Sequence, residues 1–325
     1  MATTTAPATG TDARGSVRPP ATRGAVPARR REGVAGYVFL SPFLVGLMTI
    51  TAIPMLYSLY LSFTNYDVLS PEHDWVGLDN YVRMFTRDPH YWHSVRVTVV
   101  FALVAVPLKL AAALGVALLL ARARRGVGVF RALFYLPSLL GGSVGLAIIW
   151  QAMFSRDGSV NALLRLVGIT GRPWVNDPDF ALGTLILLGM WQFGAPMVIF
   201  LAGLKQIPAE LYEAAAVDGA GPYRTFLRIT LPMLSPVIFF NLVLETIHGF
   251  QGFTGAFVLS NGTGGPADSL LMYTVNLYLR GFGDFEMGYA SAMAWVFLAT
   301  IGLVTAVLFS TGRMWVHYGD GGDRR

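Results

Sequence analysis

The chain contains no cysteine, which removes disulfide frameworks, thiolate metal sites and cysteine nucleophiles. Charge is also scarce: Asp, Glu, Lys and Arg make up 13% of its 325 residues, against roughly 25% in an ordinary soluble domain. Lysine is confined to Lys109 and Lys205. No Gly-rich phosphate loop closing on Lys-Ser or Lys-Thr exists, and Asn261-Gly262-Thr263-Gly264-Gly265-Pro266 reads as a flexible turn. His90 and His93 have a loose metal-ligand spacing but no third ligand in a matching context, so no metal site is expected. With no clustered acid–base set either, the sequence does not read as an enzyme. No inverted or parallel internal repeat is evident, so the signature of many secondary carriers is missing. No apolar stretch near Met1 suits a cleaved signal peptide.

Hydrophobic residues, by contrast, reach 54%, with a mean hydropathy of +0.53. They gather in six runs, about 37–63, 97–120, 130–154, 182–204, 232–259 and 287–310. Each is near or above the roughly 20 residues that cross a bilayer as a helix. The fold class expected is an all-α integral membrane protein with six transmembrane helices. Residues 1–33, rich in Thr, Ala, Pro and Arg, bury too little to fold and read as a disordered tail. The first span and its following loop occupy 34–94, the other five spans 95–312, and a second tail 313–325. Residues Asp268 to Phe282 read as a short amphipathic helix lying on the outer surface.

Lys and Arg set the orientation. With the N-terminus inside, the inner segments hold 16 of the 24 and the outer segments 7, namely Arg83, Arg87, Arg96, Arg156, Arg165, Arg172 and Arg280. Both termini are therefore expected in the cytoplasm of a cell whose inner or plasma membrane holds the protein. That topology makes 205–232 a cytoplasmic loop between the fourth and fifth spans.

Within this loop, Glu210 to Val217 are good helix formers following Pro208, and Asp218-Gly219 ends the helix. Pro222 suits the first turn of a second short helix, which Leu231-Pro232 stops or bends into the next span. Two short helices around a glycine elbow suit docking into a groove of another protein, and suit an ordinary helical loop equally. In the fifth span, Asn241, Glu245, His248, Gly252 and Gly255 lie within about 40° of Asn241's direction at 100° per residue, opposite Phe239, Val243, Phe250 and Phe257. A carboxylate deep in hydrocarbon costs about 2.5–3.5 kcal/mol, so Glu245 belongs in a bundle interior or aqueous cavity. His248 is placed to pair with it. The stripe fits a path for a polar solute and also a structural pair joining two helices. Lys109 either lines that path, snorkels or pairs two helices, and Trp191-Gln192 either stacks on and hydrogen-bonds a sugar or packs.

Glu213-Ala214-Ala215, three residues, Gly219, nine residues, then Ile229-x-Leu231-Pro232 resembles the EAA loop of permeases from binding-protein-dependent ABC importers. Asp218-Gly219-Ala220, Gly264-Gly265-Pro266 and Met287-Gly288-Tyr289-Ala290 resemble the carbohydrate-importing branch, which includes the maltose and glycerol-3-phosphate permeases. The resemblance runs from about Tyr37 to the end of the sixth span. It implies a type I ABC importer permease fold, with Glu213, Ala214, Ala215, Asp218, Gly219, Ile229, Leu231 and Pro232 coupling to an ATPase. It implies a heterodimer with a second permease, an ABC ATPase dimer, and an extracytoplasmic solute-binding protein that delivers a sugar. ATP and Mg would sit on the ATPase, with no cofactor on this chain and no nucleic-acid partner. The sugar path would use Glu245, Gly249 and Gly252, joined from the stripe by Asn241 and His248, and by Trp191. The relatives have asparagines where this chain has Gly249 and Gly252, which points to a different or larger sugar. The rival reading is an ion-coupled carrier using Glu245, His248 and Lys109 as a proton relay. A membrane-embedded enzyme and a purely structural subunit rank below it.

Overall fold

The computed structural model describes residues 28–70, 72–122 and 126–316. Most of the expected N-terminal tail, and residues 317–325, lie outside them. The chain divides into two units, residues 1–56 and 57–325. In the first, α1 (Ala28–Gly46) passes through a π turn (Leu47–Ala52) into α2 (Ile53–Leu61), which runs on into the second unit. Residues 28–33, which composition assigns to the tail, are helical as the start of α1. Pro54 stands two residues past the end of the π turn. A wide turn moves the preceding carbonyls away from the proline ring, so the rod continues instead of breaking.

The regular elements of the second unit's described residues are helices joined by turns and loops, and the β pairing among them is two isolated bridges, Thr64 with Trp75 and Asp67 with Ser70. It comprises α3 (Asp79–Thr86), α4 (Pro89–Arg122), α5 (Val127–Leu140), α6 (Val144–Met153), α7 (Ser159–Leu166), α8 (Pro178–Trp191), α9 (Gly194–Gln206), α10 (Ala209–Val217), α11 (Pro222–Thr225), α12 (Leu231–Phe250), α13 (Thr254–Leu259), α14 (Tyr273–Tyr278) and α15 (Met287–Trp315). The 34-residue α4 is central, packing against α8, α9 and α12. Its buried Ala102, Ala105, Ala113 and Ala117 let those backbones come close. One apolar cluster surrounds the N-terminal half of α4 (Val97, Phe101 and Ala105 with Leu185, Leu188, Leu259 and Met272). A second surrounds its C-terminal half (Val106, Leu110 and Ala117 with Phe200, Leu201 and Leu234).

Four described helices are individually long and apolar enough to span a bilayer, and six spans result if each bent pair counts as one. The bends are where the structure departs from six straight rods. The third run turns by 101° between α5 and α6. Gly141-Gly142 ends one helix, and Ser143, extended at φ −85° and ψ 138°, caps the next by accepting from the Leu146 N–H. The fourth bends by 42° at Gln192-Phe193. The fifth breaks between Phe250 and Thr254, where the Thr274 hydroxyl donates to the freed carbonyl of Gly252.

Residues 268–282 correct the expectation of a surface helix. Leu270, Leu271, Met272, Tyr273 and Val275 are buried. The segment folds back against α4, with the Tyr273 N–H donating to Thr98 Oγ1 at 2.7 Å and Asn276 Nδ2 donating to Ser94 Oγ at 3.3 Å. Polar residues that suggest a wet face from sequence here meet the buried hydroxyls of α4. His90 and His93 hold this segment: His90 Nδ1 lies 3.0 Å from Asp268 Oδ2, and His93 Nε2 donates to the Asp268 carbonyl at 3.0 Å.

At the same end of the unit an ion cluster ties α4 and α15 to the turn after α14. Asp88 accepts from Tyr289 Oη at 2.7 Å, from the His90 N–H at 2.9 Å and from Arg280 Nη2 at 3.2 Å, and its side chain is 2% exposed. Burial pushes the Asp88 carboxyl up, but the Tyr289 hydroxyl, the His90 N–H and Arg280 together outweigh it and hold the group below its usual 3.8. A depressed carboxylate contributes stability that is complete above its unfolded value and is lost as pH falls through its folded value. Asp88→Ala should cost about 3 kcal/mol, since it strands a half-buried guanidinium that Asp284 still partly serves. Thermal unfolding of the detergent-purified protein checks this. The difference between wild type and Asp88→Ala should shrink as the medium is taken below pH 4.

Candidate functional site

Where the two clusters along α4 meet, the core opens into a cavity of about 220 Å³. Its wall comes from α4 (Phe101, Ala105, Val106, Lys109), the α5–α6 bend (Gly141, Gly142, Ser143), the end of α8 (Leu188, Gly189, Gln192) and α12 with its break (Glu245, His248, Gly249, Gly252 to Ala256). The bends therefore have a use. Non-helical backbone at membrane depth is tolerated where it lines a cavity, and all three breaks do so.

The dominant polar feature is an ion pair across α4 and α12. Lys109 Nζ donates to Glu245 Oε2 at 2.7 Å, with the side chains 16% and 10% exposed. Glu245 thus pairs with Lys109 and not with His248. The α4–α12 crossing brings the four-carbon lysine stem directly to the carboxylate, while His248 stands one turn on, exposed at the cavity wall. With Lys109 and Glu245 paired to each other, the remaining hydrogen-bonding side chains on an otherwise largely apolar wall are Gln192, Ser143, Thr254 and His248. Such a wall suits an uncharged polar solute.

Not every residue of the predicted path reaches this cavity. Glu245, His248, Gly249, Gly252 and Gly255 line it, and so does Gln192. Asn241 does not: it is buried, and its Nδ2 donates to the Val237 carbonyl of its own helix at 3.0 Å. Trp191 also stays out of the wall, packing on Trp150 with ring centroids 5.7 Å apart. The glycines are also points of close approach. A Cβ on Gly249 would come within 3.0 Å of Val106 Cγ2, and one on Gly252 within 3.3 Å of Met272 Cε. They permit close packing of α12 and the residues after it while also lining the cavity. Lys109, Gly141, Gly142 and Ser143 join the wall from elements far away in sequence.

A second concave surface, separate from the first, lies at the opposite end of α12. Helix α10 ends in a Schellman turn: Ala220 N–H donates to Ala215 O at 2.9 Å and Gly219 N–H to Ala216 O at 3.1 Å, with Gly219 at φ +69°. A Cβ on Gly219 would meet nothing within 4 Å, so conformation alone requires glycine there. Tyr212 and Thr230 hydroxyls, 3.1 Å apart, tie α10 to the π turn Phe226–Thr230. Between them Ala214, Ala215, Asp218, Arg224, Arg228 and Ile229 line a shallow hollow. Glu213 is exposed beside it, as are Leu211, Tyr223 and Val217, the last at 89%. Pro232 does not stop the second helix. As at Pro54, a π turn precedes it, with Leu231 N–H donating to Phe226 O, and the helical path runs from Pro222 through to Phe250.

Among the described residues no group of three or more His, Asp or Glu is placed to hold a metal.

Residues 110–314 match the family model described as "Binding-protein-dependent transport system inner membrane component". The chain is 52% identical over 290 residues to the probable ABC transporter permease protein YesP of Bacillus subtilis, covering 89% of this chain and 94% of that one. It is 33% identical to the lactose transport system permease protein LacF of Rhizobium radiobacter (88% and 96% covered). It is 32% identical to the trehalose/maltose transport system permease protein MalF of Thermococcus litoralis (87% and 95%). The fold is that of a chain in the crystal structure of a bacterial ABC transporter importing alginate, at a TM-score of 0.75 and 20% identity, covering 88% of this chain and 96% of that chain.

The ion pair can be tested apart from transport. Lys109→Met alone should destabilise the detergent-purified protein by about 3 kcal/mol, by leaving a carboxylate buried without its counter-charge. Lys109→Met combined with Glu245→Met should recover most of that loss. The two single variants and the double variant, compared by thermal unfolding, give the coupling directly.

Proposed function

Because the chain belongs to the family of inner membrane components of binding-protein-dependent transport systems, we propose that it is the permease subunit of an ATP-driven importer of a sugar or oligosaccharide. In this reading both termini are cytoplasmic. An extracytoplasmic binding protein presents the solute at the end of the bundle that holds Asp88 and Asp268. A second, similar permease completes the path, and a separate ATPase pair carries ATP and Mg. This chain makes and breaks no covalent bonds.

One observation carries the proposal. A single helical path, Pro222 to Phe250, connects the hollow at Gly219 to the cavity wall at Glu245. Rigid movement of α10 and α11 by a docked ATPase is therefore delivered to the side of the cavity that bears the ion pair. The neutral, hydroxyl- and amide-bearing wall supports a sugar, as do the sugars in the names of the lactose and trehalose/maltose relatives. Asn241 and Trp191 act in this reading as packing residues behind the wall, and Gln192, His248 and Glu245 as solute contacts.

Replacing Gly219 separates coupling from folding. A β-branched residue in a left-handed position costs about 1–2 kcal/mol, whereas asparagine tolerates it. Gly219→Val should abolish uptake and binding-protein-stimulated ATP hydrolysis at unchanged membrane level, and Gly219→Asn should retain most of both. Normal ATP-driven uptake by Gly219→Val would remove the elbow from the coupling path. Glu245→Gln should change the KM or the choice of sugar and leave assembly with the ATPase intact. An ion-coupled carrier predicts the opposite energetics, with uptake collapsing under an uncoupler while ATP is held constant.

A further inference from the structure

The eight residues of α7 and the turn after them are built the wrong way round for a helix in water. Their inward anchor is polar. Asn161, 2% exposed, donates from Nδ2 to the carbonyls of Ser155 (3.2 Å), Arg156 (3.0 Å) and Arg172 (2.7 Å), and its Oδ1 accepts from Trp174 Nε1 at 2.7 Å. This fixes one side of α7 against its own flanking segments and leaves no rotational freedom. The outward side is apolar: Leu163, Leu166, Val167 and Ile169 are all strongly exposed, Leu166 at 81%. The last of these is held there deliberately by the backbone. Gly168, at φ +78°, closes a Schellman turn in which Ile169 N–H donates to Leu164 O at 2.9 Å and Gly168 N–H to Arg165 O at 3.1 Å, folding Ile169 back alongside the helix.

Exposed apolar side chains clustered on a rigid element mark an interaction surface. Two observations decide what covers this one. The patch continues the exposed apolar face of α6, where Ile148, Ile149 and Met153 precede it and form part of a bent membrane-length pair. Exposed Arg165 lies on α7 itself, and exposed Arg156 and Arg172 flank the segment in sequence, with exposed Asp157 beside the first and the Arg172 guanidinium 3.7 Å from Asp177. Apolar residues flanked by arginines suit the boundary between acyl chains and anionic headgroups.

We propose that α7 and the Val167–Ile169 turn form an interfacial anchor, lying in the membrane surface with Leu163, Leu166, Val167 and Ile169 among the acyl chains. It would fix the depth and tilt of the α5–α6 bend that lines the cavity. This inference depends on the chain being a membrane permease and not on what that permease carries.

The absence of native cysteine gives a direct test on the full transporter. Leu166→Cys is labelled with a nitroxide in nanodiscs containing phosphatidylglycerol, and its collision rates with oxygen and with a water-soluble nickel chelate are compared. Leu103→Cys, 70% exposed in the middle of α4, serves as the bilayer reference. Oxygen access with loss of nickel access at 166, as at 103, is the expected result. High nickel access would place the helix in water and overturn the proposal. Loss of both would mean that a binding protein or a second permease covers the patch, and would overturn it equally. Uptake of solute plays no part in this reading, so its outcome is distinct from any failure of the transport assignment.

Discussion

Alanine at positions 102, 105, 113 and 117 gives α4 so shallow a face that α8, α9 and α12 all close on it. In a bilayer there is little hydrophobic drive between helices, and close backbone approach supplies the association instead. The rest of the bundle depends on this. With three helices held on one, the two apolar clusters are stacked along α4, and the cavity opens where they adjoin. Lys109 stands at that gap because it is the first long polar side chain after the alanines at 102 and 105, and Glu245 is brought to it by the crossing of α12.

Much of the fold was legible from hydropathy, because a run of about 20 apolar residues has few alternatives. The breaks were less so. Gly141-Gly142-Ser143 is a sufficient signal for a helix end followed by a cap, yet inside an apolar run it competes with the tolerance of membrane helices for glycine. The fold-back of residues 268–282 is hidden from the sequence for a different reason. Periodicity distinguishes a polar face from an apolar one but cannot say whether the polar face meets water or the hydroxyls of Ser94 and Thr98.

The site divides in the same way. Glu245 stood out in sequence because a carboxylate in hydrocarbon demands an explanation, and the structure gives one at 2.7 Å. Its partner lies 136 positions away, a pairing that no local pattern encodes. Asn241 satisfied the same angular stripe but turned back on its own helix, an option always open to a short amide side chain. Trp191 had neighbours enough to be packed, and is. The Gly219 elbow, by contrast, was almost wholly local: a helix, a left-handed glycine and a proline start define it within a dozen residues.

The π turn at Phe226–Thr230 sets the rotation of α12 relative to α11. A π turn carries one residue more than an α turn, so everything beyond it is offset by roughly 100° about the helix axis relative to an uninterrupted α-helix. Helix α11 and Glu245 are thereby set in a fixed angular phase, like two cams on one shaft. Beyond the turn, α12 carries its carboxylate toward Lys109. Deleting a single residue from that turn would keep the length, the composition and both surfaces nearly intact, yet put the cams out of phase.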